Sequence, residues 1–304
     1  MSKEKIKKLN RIFNPKTIAI VGASDKEGSV GYGLVKNIQD GNNTRTVFLI
    51  NPFIKEIFGT KTYSDITKVK RSIDLVVIAV PAPIVLEIVR QCVKVKAGGI
   101  IIIASGFGES GEEGKGLEKN IVETCVKAGI PLIGPNCLGI MNTSEQLNAS
   151  FAPLDPRKGN IAFLSQSGAM VDAVLDRCAN ENFGFSKIVS YGNEADCGLI
   201  DFLEYLKTDK QTKAIIVYFE GVADGRGFME MARAVSKIKP IIAIKAGRGE
   251  AGQKAASTHT GSLSTGYEVY RAALKQSGVI QVDSLDALLD SARAFSFQNR
   301  INNG

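Results

Sequence analysis

The sequence predicts an α/β protein built from two successive doubly wound domains with parallel sheets. Short apolar, β-branched runs alternate with longer helical patterns from residue 17 onward, the pattern of strands joined by crossover helices. The alternation breaks once, across the polar residues 142–158 with their Pro153 and Pro156. The boundary is placed there, between domains of residues 1–145 and 146–304. Both series also open alike, with an apolar strand that runs into a serine- and glycine-containing loop and then a helix. At 304 residues the chain is long enough to give each domain its own core.

Residues 1–16 are basic and polar and read as a lead-in helix and turn ending at Asn14-Pro15. The first strand, 17–22, is β-branched and closed by glycine. Its loop contains Gly22, Ala23, Ser24, Gly28, Ser29, Val30 and Gly31 and opens a helix over 34–39. Backbone amides there, with the positive end of the helix dipole, suit a phosphate; a tight turn without a ligand is the alternative. The spacing is not G-x-G-x-x-G, so a nicotinamide cofactor has little support. Strand 46–50 runs into Asn51-Pro52-Phe53-Ile54-Lys55. Where a dinucleotide fold carries an acidic residue for the ribose hydroxyls, this chain has Asn51 and Lys55, which suits a ligand with an extra phosphate. Strand 74–80 is stopped by Pro81 and Pro83 around Ala82, and a helix follows over 84–95. Strand 99–104, the glycine-rich loop 105–111 and a helix to 128 come next. The short strand 130–133 closes on Gly134-Pro135-Asn136-Cys137-Leu138-Gly139.

The second series begins with strand 160–164, the loop Ser165-Gln166-Ser167-Gly168 and a helix to about 179. Strand 188–192, helix 199–206, strand 214–220 ending at Glu220, helix 228–237 and strand 240–245 follow, and helices over 267–276 and 285–294 finish the chain. Between them stands His259, the only histidine, flanked by small residues in Lys254-Ala255-Ala256-Ser257-Thr258-His259-Thr260-Gly261-Ser262. It lies beyond a strand's carboxyl end, where open α/β sheets carry their sites. A neutral imidazole, with an ordinary pKa of about 6.5, can attack phosphorus and carry a phosphoryl group. A solvated loop histidine is the alternative. The loop from Ser165 to Gly168 offers hydroxyls and amides at a helix N-terminus, able to hold the phosphate of a phosphorylated ring. It lacks the first glycine of a nucleophile elbow, and there is no second histidine, which argues against a serine hydrolase. Glu220 is placed to accept the other ring N–H and fix the tautomer, a solvated strand end being the alternative.

Composition narrows the classes. With 44% hydrophobic and 23% charged residues the chain is of the globular type. The net charge of +7 is partly concentrated in residues 3–11 and nowhere interleaved with aromatics in a stripe, so anionic small ligands explain it and no nucleic acid is expected. Five cysteines without a C-x-x-C pair, and a single histidine, imply reduced thiols and no metal site. No apolar run approaches 18 residues and the N-terminus has no signal-peptide core. A cytoplasmic protein with no membrane association is expected.

Taken together, Val21-Gly22-Ala23-Ser24, Asn51-Pro52, Val80-Pro81-Ala82, Gly134-Pro135-Asn136-Cys137-Leu138-Gly139, Ser165-Gln166-Ser167-Gly168, Phe219-Glu220-Gly221 and Ser257-Thr258-His259-Thr260-Gly261-Ser262 resemble the alpha subunit, or alpha half, of the nucleoside-diphosphate-forming acyl-CoA synthetases. The resemblance spans about residues 10–297 and is stronger to the ADP-forming acetyl-CoA synthetases than to succinyl-CoA synthetase alpha. It implies a Rossmann-like CoA-binding domain followed by a flavodoxin-like domain. In the first, the 22–31 loop and Lys55 would lie near the nucleotide phosphates of coenzyme A, Val80, Pro81 and Ala82 along its body, and Asn136 and Cys137 near its thiol. In the second, His259 would be phosphorylated, Glu220 would orient it, and Ser165, Gln166, Ser167 and Gly168 would begin the helix that steadies the phosphate. The implied reaction converts acyl-CoA, inorganic phosphate and ADP to acid, CoA and ATP through an acyl phosphate and a phosphohistidine. His-Thr-Gly-Ser in place of His-Ala-Gly tilts the expected acid from succinate toward acetate.

No block of this sequence resembles the ATP-grasp domain that holds ATP or ADP and Mg2+ in that family. A separate ATP-grasp beta subunit and a hetero-oligomer are therefore expected. The competing readings are a non-catalytic CoA-binding regulatory module, disfavoured because His259 and Glu220 are both present, and a succinate–CoA ligase alpha subunit.

Overall fold

In the computed structural model the described residues, 3–41, 44–179, 181, 183–248 and 266–298, form two seven-stranded sheets. The first contains β1 (Thr17–Val21), β2 (Thr46–Ile50), β3 (Glu56–Ile57), β4 (Thr60–Tyr63), β5 (Leu75–Ile78), β6 (Ile100–Ile102) and β7 (Leu132–Ile133), in the order β3-β4-β2-β1-β5-β6-β7. Apart from the antiparallel β3, that is the 3-2-1-4-5-6 parallel order of a Rossmann fold. Ile18, Ile20, Leu75 and Val77 pack toward α2 (Val30–Asp40). Ala19, Val21, Val76 and Ile78 pack toward α3 (Ala82–Lys94) and α4 (Glu112–Ala128). Both faces are covered, which is why these strands read as unbroken isoleucine and valine runs.

The second sheet contains β8 (Gly139–Asn142), β9 (Leu147–Ser150), β10 (Lys158–Ser165), β11 (Phe185–Ser190), β12 (Ala214–Phe219), β13 (Ile241–Lys245) and β14 (Ile280–Gln281). Five parallel strands, β11-β10-β12-β13-β14, follow the flavodoxin-like order 2-1-3-4-5. They are covered by α5 (Gly168–Cys178) and α9 (Leu285–Phe297) on one face, and by α6 (Leu199–Lys207), α7 (Gly225–Ser236) and α8 (Tyr267–Gln276) on the other.

The wholly parallel second sheet expected from sequence is mixed, because part of the polar break at 142–158 is a β-hairpin. β8 and β9 pair antiparallel with one another, and β8 with β11, so the hairpin forms the sheet's edge; residue 145 lies in its turn. Its strands escape a hydrophobicity reading because buried Asn142, Asn148 and Ser150 interrupt them. Each is satisfied: Asn142 Nδ2 donates to Phe13 O at 2.9 Å, Asn148 Nδ2 to Asp155 Oδ1 at 2.6 Å, and Ser150 Oγ to Asn148 Oδ1 at 2.6 Å.

The two sheets share one core. Ile18 and Leu34 of the first belong to the same buried cluster as Leu164 and Phe202 of the second, with Leu9, Ile12 and Phe13 of α1 (Lys3–Phe13) between them. Phe13 stacks on Tyr205 at 4.8 Å, Lys5 pairs with Asp201 at 2.8 Å, and Arg11 pairs with Asp74 at 2.5 Å, so α1 grips both units. Residues 193–197 run beside β7: Asn193 N donates to Pro135 O at 3.0 Å, Cys197 N to Leu132 O at 3.0 Å, and Leu132 N to Asp196 Oδ2 at 2.9 Å. No helix among the described residues is long and apolar enough to cross a membrane.

Candidate functional site

The two sheets turn the carboxyl ends of their strands toward one cleft of about 620 Å³. Val30, Val80, Pro81, Asn136 and Cys137 line it from the first unit, and Gln166, Ser167, Gly168 and Asp172 from the second. Each wall lies at a topological switch point, between β1 and β5 in one sheet and between β10 and β12 in the other. Two helix N-termini, those of α2 at Val30 and α5 at Gly168, therefore border the same hollow and bring unsatisfied backbone amides to it.

The 22–31 loop is shaped by close backbone approach. A Cβ on Gly22 would lie 2.3 Å from the Ala79 carbonyl oxygen, and one on Gly31 would lie 2.1 Å from the Gly22 carbonyl oxygen, so neither position admits a side chain. Ser29 caps α2, its Oγ accepting from Tyr32 N at 3.2 Å and donating to Lys26 O at 2.7 Å. Ser24 Oγ accepts from Lys26 N at 3.0 Å; Ala23 is buried and Gly28 exposed. Asn51 is a brace for this loop: its Nδ2 donates to Ala23 O at 2.8 Å, and its Oδ1 accepts from Phe53 N and Ile54 N. Lys55 is exposed.

On the facing loops, Val80 and Pro81 lead into α3, whose first residue is Ala82. Asn136 has φ +57° and donates from Nδ2 to Asn193 Oδ1 at 3.2 Å. Cys137 is 5% exposed and donates to Ile102 O at 3.2 Å; burial pushes its thiol up to about 12, so it packs against the cleft as a neutral group. Asn193 also donates to Glu109 Oε2 at 2.6 Å and Glu118 Oε2 at 2.8 Å. Burial would raise the Glu109 carboxyl, but bonds from Asn193 and from the Gly106 and Phe107 amides outweigh it and hold the carboxyl below its ordinary value.

In the second unit Ser165 is fully buried; its Oγ donates to Ser167 O at 2.7 Å and accepts from Ser167 N at 3.1 Å, closing the turn. Ser167 caps α5 through a bond from Met170 N at 3.3 Å. The Gln166 amide accepts from the backbone N–H of Glu220 and Gly221 and donates to Glu194 at 3.1 Å. Glu220, just past β12, is thus brought to the start of α5, with one carboxylate oxygen buried. Lys245, at the end of β13, lies 4.8 Å from the Tyr270 ring centroid; burial lowers its pKa, partly opposed by the charge of Glu220.

His259, with residues 254–262, lies outside the described residues. Of the remaining sequence candidates, eight line the cleft, whereas Asn51, Glu220 and the exposed Gly28 and Lys55 are not among its lining residues. Sequence reasoning did not find Asn193, Asp172 or Lys245. The sequence reading extends the strand through Tyr191 and Gly192, but β11 ends at Ser190 and a polar turn follows, in which nothing local tells which side chain turns inward.

Comparison with known proteins matches residues 16–143 to a CoA binding domain and residues 158–295 to a succinyl-CoA ligase like flavodoxin domain. The chain is 46% identical over 284 residues to acetate–CoA ligase [ADP-forming] I of Archaeoglobus fulgidus, covering 93% of this chain and 41% of that protein. It is 44% identical over 288 residues to the alpha subunit of acetate–CoA ligase [ADP-forming] II of Pyrococcus furiosus, covering 95% and 63%. The structure of dinucleotide forming acetyl-coenzyme A synthetase 1 from Candidatus Korarchaeum cryptofilum, in complex with phosphate and ADP, superposes with a TM-score of 0.92 at 38% identity, over 97% of this chain and 64% of that one. The chain thus spans less than two thirds of the length of these relatives. With both domain types present in the same order, the chain belongs to the family of nucleoside-diphosphate-forming acyl-CoA synthetases, of which it carries the CoA-binding and the ligase-like flavodoxin domains.

Proposed function

We propose that this chain is the alpha part of an ADP-forming acyl-CoA synthetase that handles acetyl-CoA or a similar short acyl-CoA and works with an ATP-grasp beta subunit holding ADP or ATP and Mg2+. The observation that carries this reading is the shared cleft, in which the CoA-side residues Val80, Pro81, Asn136 and Cys137 face the start of α5. A thioester delivered along the first wall would meet an anion held by the second. The 22–31 loop and Lys55 would take the nucleotide phosphates of CoA. Phosphate at the α5 N-terminus would attack the thioester carbonyl, with the sulfur leaving as CoA thiolate, to give an acyl phosphate. The helix amides, with Ser167, would hold the phosphoryl oxygens as charge moves onto them. His259 would then attack phosphorus through its unprotonated nitrogen, releasing the carboxylate, while Glu220 accepts the other ring N–H. The phosphohistidine would pass its phosphoryl group to ADP on the partner. The five cysteines, all free and buried, suit a reducing cytoplasm.

The test separates the half-reactions. Given acetyl-CoA and labelled phosphate, the chain should gain acid-labile, base-stable label on His259. Given labelled ATP and Mg2+, it should stay unlabelled until an ATP-grasp beta subunit is added. Efficient labelling from ATP by the chain alone would refute this division.

A further inference from the structure

The Gln166 amide joins three loops, and which of its ends faces which neighbour follows from what those neighbours can do. The Glu220 and Gly221 backbone N–H groups are donors only, so they require the amide oxygen. Glu194 holds the other end: Oε2 accepts from Gln166 Nε2 at 3.1 Å, while Oε1 accepts from Leu199 N at 2.7 Å, at the start of α6. Both carboxylate oxygens are thus acceptors facing donors. The ionised carboxylate, with no donor of its own, satisfies both at once, whereas a protonated carboxyl would turn an O–H toward one of the two donors; burial raises this group to about 7, so the relay is complete above that pH.

We propose that Glu194 is a positioning residue for phosphoryl transfer, holding the Glu220 loop against the start of α5 through the Gln166 amide. The inference rests on the functional reading above and adds to it a group that touches neither the substrate nor the reacting atoms. Glu194 sits at φ +58°, a left-handed conformation uncommon for side chains larger than glycine, and is kept there by these bonds. The fully buried Tyr191 hydroxyl, without a hydrogen-bond partner among the described residues, has its ionisation opposed by burial and then by the charges of Glu194 and Glu220. The adjacent Asn193 bonds to Asn136 on the CoA wall, so the same loop touches both halves of the cleft. The other charge acting on Glu194 is that of Asp201 of α6, which is itself paired with Lys5 at 2.8 Å.

Glu194→Gln forces an NH2 against either the Leu199 N–H or the Gln166 NH2, donor facing donor. Combining it with Gln166→Glu restores every pair: the new amide oxygen accepts from Leu199, its NH2 donates to the new carboxylate, and that carboxylate accepts from Glu220 and Gly221. Two readouts follow: the amide proton shifts of Glu220 and Gly221 in the labelled full chain, which need no turnover, and the rate of His259 labelling from acetyl-CoA and labelled phosphate. The single variant should move both amides upfield and slow labelling about 10- to 100-fold, with CoA affinity within a few-fold of wild type. The exchanged pair should return the shifts and recover labelling several-fold over the single variant. Unmoved amides in Glu194→Gln, an exchanged pair no better than the single variant, or a parallel loss of CoA affinity would each overturn the proposal. A wild-type chain that takes no label would refute the functional reading instead, and the amide shifts would still decide the relay.

Discussion

Glu194 should tilt the stability of the whole chain with pH. Burial pushes its carboxyl from an ordinary 4.5 up to about 7, against the opposing effect of its bonds from Leu199 and Gln166. The folded chain therefore keeps this proton while the unfolded chain releases it. The group's stabilising contribution is complete below pH 4.5 and lost by the time pH has risen through 7. A displacement of about 2.5 units at about 1.36 kcal/mol each corresponds to about 3 kcal/mol of stability lost across that window. Carboxylates held low, such as Asp74 and Asp209, slope the other way at lower pH, so the raw profile of the wild type mixes several groups. The difference between wild type and Glu194→Gln isolates this one. Urea unfolding followed by circular dichroism at pH 4.5, 5.5, 6.5 and 7.5 should show wild type losing about 3 kcal/mol relative to the variant, with the change centred between 5 and 7. A difference that stays constant across those four values would refute the assignment of a buried, proton-retaining carboxyl at 194.

Three further perturbations address the site and its frame. His259→Ala should abolish phosphoryl transfer and leave CoA affinity, measured by calorimetry, within a few-fold of wild type; joint loss of both would contradict the separation of the two tasks. Gly31→Ala should abolish CoA binding and lower the melting temperature, because the added Cβ would lie 2.1 Å from the Gly22 carbonyl and the turn must open to admit it; unchanged titration with CoA would show that the loop is not the nucleotide site. Phe13→Ala removes a fully buried ring stacked on Tyr205 between the two units, and should cost about 3–5 kcal/mol in urea unfolding, without moving any cleft residue.

The number of units, the α/β class and most strands were legible in the sequence, because strands buried on both faces need unbroken apolar runs such as Leu75–Ile78 and Ala214–Phe219. The loops at the strand ends were legible too, since glycine, proline and polar residues there mark where a strand stops. The hairpin of β8 and β9 was not, because its polar side chains are satisfied by partners such as Phe13 O, 129 positions away in the chain. Nor could the sequence tell that Asn51 braces a loop, that Gln166 is a junction, or that burial raises the Glu194 carboxyl. Those properties depend on which groups the two sheets bring together once α1 and residues 193–197 lock them side by side, and on the removal of water there. Local sequence determined where each loop begins; only the packing of one unit against the other decided which donors and acceptors those loops meet, because bond partners and burial are long-range properties of the folded chain.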